Sequence, residues 1–492
     1  SIVDDAKARF PNTVDCATTH GLAYRGTPPA FRQGDKMTGK TSAQQLAEIL
    51  NLKKGWRVDR EHTLQPRSQA FLILETVRRF AQSADENLSI VHVPQHGSLA
   101  TASDETLAAV SDFAIRGATH IWGRMCNAQD SLPLGHDGYL KLWALSKPLI
   151  AADFIMLDEA QDTNPVVLEV LRHQSSQLVY VGDRYQQIYE WRGAINAMES
   201  MNTDITARLT QSFRFGPDIA AGASQLLRLL GEVVPLAGNP LKVGRIGPCE
   251  PTTILSRTNA SVMTSLVDVL NSGKSPHLVG GTGDLMDMLK GVQDLKAGTA
   301  STVPDFFGFQ TWEEVVEFAK SAEGEHLLTF TNLVQARGEK QLMWALRRTV
   351  EEDKADIILS TAHKSKGREW KNVRLTDDFM KTRPSKSTDA AEQDRLAKER
   401  AAEMRLLYVA ITRAKENIDV PAPLLAMLGV TGQLSVPLAA SAGTSPKPPS
   451  DRTAGWQPPV DWKEKSLPPQ PSASIKPPKQ VKRGLISRLF GW

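Results

Sequence analysis

The run IMLDEAQD ends an apolar segment in two adjacent carboxylates, Asp158 and Glu159. Placed after a strand, such a pair suits phosphate chemistry: one acid holds Mg²⁺ through water, and its neighbour orients or deprotonates the attacking water. The same letters also suit an acidic helix start, with Asp158 capping and Glu159 in the first turn. Downstream, VGDRYQQIYEWRGA carries Gln186, whose amide can hydrogen-bond a γ-phosphate or an attacking water. Tyr189 and Trp191 follow, aromatic residues that could stack bases for about 1–3 kcal/mol each, or serve as core aromatics. A third stretch, GDKMTGKT, matches the phosphate-cradling pattern G-x-x-x-x-G-K-T between Gly34 and Thr41.

That pattern works only where a buried strand delivers the chain to a helix mouth. The preceding YRGTPPAFRQ has two adjacent prolines and no apolar run, which is poor material for a central strand. The following SAQQLAEILNL is a good helix that Thr41 or Ser42 can cap. Lys40 is therefore expected in a polar loop, with no role at phosphate. The acidic pair has the context that GDKMTGKT lacks. ADFIMLDEAQD and QLVYVGD are compact apolar runs ending in acids, with the helical NPVVLEVLRHQ between them. Strand, helix, strand reads as a parallel α/β unit whose functional groups sit at the carboxyl ends of its strands. TTILSRT, HLVGG and DIILST read as strands of a second block beginning near residue 205. TVDCAT and LSIVHV read as short strands, QAFLILETVRRFAQSADENL as a helix, and MRLLYVAIT fits either a helix or a strand.

The 492 residues, 41% hydrophobic and 23% charged, are ordinary globular material with room for two to four domains. No apolar run approaches the roughly 18–20 residues of a membrane span, so no membrane association is expected. Three distant cysteines match no metal spacing and suit a reduced compartment. A net charge of +3 does not by itself announce nucleic-acid binding. From about Ser441 the composition shifts, with ten of the 29 prolines in the last 52 residues, and disorder is expected there.

Taken in order, DEAQD, GDRYQQIYEWRGA, SFRFG, TAHKSKGREW and YVAITRAK resemble motifs II to VI of the UvrD/Rep-like superfamily 1A DNA helicases. CATTHGLAY is similar to the family's motif Ib. The likeness covers residues 1 to about 430, and HGLAYRG and HDGYLKLWALSKPL look like the F-box DNA helicase-like branch, although no F-box is evident.

The resemblance implies an α/β fold of two RecA-like parallel-sheet motor domains with small helical insertions. It places the first motor domain at 1–204, with an insertion at about 45–130. The second is placed at 205–432, with a short insertion at about 285–350, followed by a Pro-rich basic tail at 433–492. It implies ATP and Mg²⁺ as cofactors, with Asp158 holding Mg²⁺ through water and Glu159, Gln186, Arg214 and Arg413 as the catalytic set. Phe213 would stack on adenine, where the family commonly has Tyr, with Gly367 and Glu369 also at the nucleotide and Glu369 at its ribose. Thr18, His20, Tyr189, Trp191, Arg192, Thr361 and His363 would line a track for single-stranded DNA. Two arginines reaching across a cleft would neutralise charge on the transferred phosphoryl group.

The resemblance also puts the family's own P-loop ahead of motif Ib, so the strand and lysine that hold phosphate are expected before residue 1, and the first sheet is expected to show an unpaired edge. The implied activity is ATP-driven 3′→5′ translocation on single-stranded DNA and at duplex junctions, in repair or recombination. The competing reading is a DNA-binding remnant that no longer turns over, and an RNA-directed relative is a further alternative. No nuclease-like carboxylate cluster follows motif VI. A monomer is expected, at a bacterial nucleoid or in a nucleus. The tail ends KPPKQVKRGLISRLFGW, where Lys476, Lys479, Lys482, Arg483 and Arg488 stand beside Leu489, Phe490 and Trp492. It reads as a disordered basic tail, or as a docking motif for a replication or repair partner.

Overall fold

The computed structural model describes residues 2–60, 62–95, 97–190, 195–321, 324–381 and 390–430. Trp191, Arg192 and the tail beyond residue 430 lie outside the described residues.

The first elements are helical: α1 (Ile2–Arg9), α2 (Thr19–Gly26) and α3 (Ala43–Ile49). A two-residue hairpin, β1 (Trp56–Arg57) and β2 (Thr63–Leu64), leads into α4 (Pro66–Gln82), α5 (Asp104–Met125) and α6 (Gly135–Leu145). Then β3 (Phe154–Leu157), α7 (Pro165–Arg172) and β4 (Gln177–Tyr180) form the strand–helix–strand unit read from the sequence, and β3 and β4 pair in parallel. Asn164 caps α7 through the Val166 N–H, and Pro165 sits at the first helical position, where its missing donor costs nothing. The short α8 (Ala197–Ser200) ends this lobe.

The second lobe contains α9 (Pro217–Leu229), β5 (Arg245–Ile246), β6 (Thr253–Ser256), α10 (Asn259–Asn271) and β7 (Pro276–Leu278). A helical stretch follows, α11 (Gly283–Lys296), α12 (Trp312–Phe318), α13 (Glu325–Arg337) and α14 (Glu339–Leu346). It closes with β8 (Ile357–Thr361), β9 (Trp370–Leu375), α15 (Ala390–Ile411), β10 (Ala414–Asp419) and α16 (Ala422–Met427). The six strands pair in parallel in the order β5-β10-β9-β6-β8-β7. One core packs α10 to α14 against β7 and β8, and another packs α9, α15 and α16 against the middle of the sheet. Ile188 of the first lobe is buried in this latter core, so the two lobes share apolar packing where GDRYQQIY leaves β4.

Two expectations change and one open reading is resolved. TVDCAT is a turn followed by extended chain, and LSIVHV is a 3₁₀ turn over Ile90–His92, because Ser89 and His92 satisfy each other's backbone as a cap. MRLLYVAIT is the buried end of α15; its apolar side chains face β-sheet and helix alike, so periodicity alone could not choose. In the first lobe only β3 and β4 pair around the acidic pair among the described residues, and Phe154 and Met156 are each 49% exposed. No helix of the described residues is long and apolar enough to cross a membrane.

Candidate functional site

Asp158 and Glu159 leave the carboxyl end of β3, as parallel-sheet geometry requires. Glu159 adopts left-handed backbone (φ 53°), a conformation that costs a non-glycine residue energy and concentrates at functional positions. Asp158 is exposed, and its Oδ1 accepts the Glu159 N–H at 2.9 Å. The helix-cap alternative is settled by this turn: Glu159 precedes only a 3₁₀ turn, Ala160–Asp162, and makes no side-chain cap.

Glu159 Oε2 lies 3.0 Å from Lys366 Nζ and accepts a hydrogen bond from Gln161 at 2.6 Å. Partial burial pushes its carboxyl up, but Lys366, Gln161 and Arg413 together hold it below the ordinary carboxylate range. Asp162 behaves oppositely, because burial outweighs Lys366 and two backbone donors and raises it.

Gln186 follows β4 on a 3₁₀ turn whose cap is Asp183. Its Nε2 donates to Asp183 Oδ2 at 3.0 Å, and its Oε1 accepts from Arg413 Nη2 at 3.4 Å. Asp183 also accepts from the Tyr408 hydroxyl at 2.9 Å, so α15 and the residues that follow it hold this turn at two points. Arg413 is 2% exposed and is held by the carbonyls of Val409 and Arg368. Burial and the nearby Arg214 charge draw it down to about 10, against Glu159, Tyr408 and Glu369. Arg214 donates to Glu369 Oε2 at 2.8 Å and to the Thr412 carbonyl at 3.2 Å. That hydrogen bond and the Arg214 charge outweigh burial and hold Glu369 low. Phe213 is 70% exposed beside Arg214, an open ring free to stack. Gly367 takes φ +78° in the turn between β8 and β9, which a side chain would strain.

The residues expected along DNA fall into two groups. The Tyr189 hydroxyl donates to the His363 carbonyl at 2.8 Å, with their rings 6.1 Å apart. Thr361 is buried and its Oγ1 accepts the Lys364 N–H, so its side chain shapes the turn. Thr18 and His20 sit at the start of α2, where Thr18 caps through the Gly21 N–H. The His20 ring packs edge-on against His136 and Tyr139 of α6. Lys366 and Asp162 also meet beside Glu159, a pairing that no local spacing in the sequence announces. Asp162 is the last acid of DEAQD, but attention to adjacent carboxylates stops at Glu159.

GDKMTGKT is a series of turns ahead of α3, where Ser42 and Gln45 form a capping box. Lys40 is exposed, whereas Lys36 is buried and donates to the carbonyls of Asp130 at 2.9 Å and Leu132 at 2.6 Å. The stretch is therefore committed to the connection between α5 and α6. For magnesium the donor set fits: a single open carboxylate, Asp158, suits a cation that keeps waters and phosphate oxygens as its other ligands. Among the described residues no cluster of three acids, histidines or cysteines could hold a metal by itself.

Residues 143–205 match the UvrD/REP helicase N-terminal domain, and residues 309–420 match the UvrD-like helicase C-terminal domain. The chain thus carries matches to both the N-terminal and the C-terminal domain of UvrD-like helicases. F-box DNA helicase protein 1 of Schizosaccharomyces pombe is 31% identical over 460 residues, covering 84% of this chain and 51% of its own length. F-box DNA helicase 1 of Gallus gallus is 27% identical over 475 residues, covering 88% of this chain and 45% of its own length. A shorter likeness, 35% over 94 residues, joins 16% of this chain to 13% of DNA helicase II of Haemophilus influenzae. The chain thus spans about half the length of the F-box relatives it matches.

Proposed function

We propose that this UvrD-like chain is the motor of an ATP-dependent translocase on single-stranded DNA, moving 3′→5′ and acting as a helicase at duplex junctions in repair or recombination. The observation that carries the reading is the meeting of Arg413 and Gln186, which brings a buried guanidinium of the second lobe to the strand ends that bear Glu159. In this reading 1–204 and 205–432 are the two motor domains, insertions included.

Bound magnesium–ATP would supply the phosphoryl group and the charge that Asp158 partners. Glu159 would accept a proton from water, Gln186 would orient that water, and Arg214 and Arg413 would neutralise developing negative charge. Phe213 would stack on the base and Glu369 would bind the ribose. Tyr189, Trp191, Arg192, Thr361, His363, Thr18 and His20 would hold the strand.

The test is ATP hydrolysis with and without oligo(dT), by the 492-residue chain and by a form extended ahead of residue 1 by a phosphate-holding strand and loop. Stimulated turnover is expected in the extended form, and Glu159→Gln should abolish it there while sparing nucleotide binding; residual turnover in that variant would contradict the assignment. A second reading, a DNA-binding relative without turnover, is favoured by one observation. The G-x-x-x-x-G-K-T stretch is a series of turns in which the pattern's own lysine, Lys40, is exposed and Lys36 is held by backbone carbonyls. Oligo(dT) binding with no hydrolysis by either form would select it.

A further inference from the structure

A groove of about 570 Å³ opens where the two lobes meet, and none of the site residues named above lines it. α15 presents Ala397, Arg400, Ala401, Met404 and Arg405 to it, a stripe at the spacing of one helix face. The alanines leave room, and Met404 joins Leu229 and Leu230 at the end of α9 in an aliphatic floor. Leu229 is 56% exposed there. The first lobe contributes Arg184, Tyr185 and Glu199.

The groove therefore carries three guanidiniums against one carboxylate, Glu199. The acids of α15 do not answer that charge. Glu392 and Glu399 pair with Arg395, Asp394 pairs with Lys398, and Glu403 pairs with Arg257. Arg400 is exposed and has no ion pair among the described residues. Arg405 donates from Nη2 to Glu190 at 2.9 Å, but its buried Nε has no acceptor among the described residues. A buried donor left in that state is short of the partner that burial demands. Arg184 is shared between Glu232 at 3.3 Å and the Tyr185 hydroxyl at 2.7 Å. Its guanidinium also lies over the Tyr185 ring at 4.8 Å, so the groove's aromatic residue is already stacked.

We propose that this groove docks an acidic amphipathic helix of a partner protein, its apolar face on Leu229, Leu230 and Met404 and its carboxylates on Arg184, Arg400 and Arg405. Charge complementarity and the shape of the lining select this occupant. A nucleic-acid strand needs open rings on which its bases can stack, and here the ring is covered and the floor is aliphatic. An amphipathic helix supplies an apolar face for such a floor and carboxylates at its edges for an arginine rim. Because both lobes line the groove, an occupant that touches both favours the arrangement in which the two walls stand as they do here. The partner would thereby bias how the lobes sit without entering the candidate site.

The test uses the whole 492-residue chain and a fluorescein-labelled peptide of 16 residues, with leucines at helical spacing on one face and glutamates elsewhere. Fluorescence anisotropy should show saturable binding, and a scrambled peptide of the same composition should bind about tenfold more weakly. Arg400→Glu should weaken the ordered peptide about tenfold, the equivalent of one charge-assisted contact. Ala397→Trp, which fills the groove without changing its charge, should weaken it as much. Arg116→Glu, on the exposed face of α5, should bind as the wild type does. Bound peptide should also slow amide exchange at both Tyr185 and Gly231, one from each lobe. Equal binding of the ordered and scrambled peptides overturns the proposal, as does unchanged affinity in both groove variants. So does a loss of oligo(dT) affinity in Arg400→Glu with peptide affinity intact, which would make the groove a nucleic-acid surface.

Discussion

Arg214 and Glu369, to which the proposed function gives the phosphate and the ribose of a nucleotide, meet each other across 2.8 Å. Lys415 stands 3.5 Å from the other carboxylate oxygen, so Glu369 is doubly countered. The pair is partly exposed on both sides, and such pairs contribute about 1 kcal/mol or less. Glu369→Gln should therefore leave thermal stability nearly unchanged. Affinity for a fluorescent ATP analogue should fall about tenfold, the equivalent of one charge-assisted hydrogen bond. Equal affinity in the variant would remove Glu369 from the nucleotide site.

The two lysines of GDKMTGKT should part company on substitution. Burial lowers the Lys36 ammonium below its ordinary range, and its donors satisfy carbonyls that have no water to turn to. Lys36→Met should cost about 2–3 kcal/mol in urea unfolding. Lys40→Ala, on the exposed loop, should cost less than about 0.5 kcal/mol and leave nucleotide affinity unchanged. A large loss of nucleotide affinity in Lys40→Ala would restore the P-loop reading.

Lys141 is 1% exposed on α6, donates to the carbonyls of Ser83 and Asp85, and lies over the Phe80 ring. Burial, against the attraction of Asp85, Glu86 and Glu169, draws it down to about 8 from 10.5. Between these values the unfolded chain binds the extra proton, so stability gained through Lys141 rises with pH across that window. The stability of wild type relative to Lys141→Met should climb from about pH 8 to pH 10.5, by up to ~3 kcal/mol. A pH-independent difference between the two proteins would show that the ammonium is not strained by burial.

Phe307 lies in the helical stretch of the second lobe but is buried among Leu64, Leu72, Val93, Leu99, Val110 and Ala114 of the first. Its carbonyl accepts the Ser98 N–H at 2.9 Å, and Gln310 donates to the Thr63 carbonyl nearby. Phe307→Ala should cost about 3–4 kcal/mol. Hydrogen exchange should quicken around Thr63 and Ser98 ahead of the central strands. If exchange there is unchanged, the ring is not what joins these segments.

Local pattern determined much of this protein. Apolar runs ending in acids marked β3 and β4, and the intervening period marked α7, because one sheet and one helix face must be buried whatever the rest of the chain does. The resemblance carried by the ordered motifs pointed to Glu159, Gln186, Arg214, Glu369 and Arg413 as one proposed site, and the prolines before Gly34, with the position after motif Ib, argued against Lys40. The tertiary structure decided which groups share a charge. Lys366 and Glu159 are distant in sequence and become neighbours only when the turn after β8 enters the first lobe. It also decided that MRLLYVAIT is helical and that LSIVHV is not a strand. Burial on every side erases the period that distinguishes helix from strand, and a cap such as Ser89–His92 outweighs β propensity over three residues. Sequence carries what neighbours along the chain can settle, whereas an ion pair between lobes depends on where the fold leaves two charges without water.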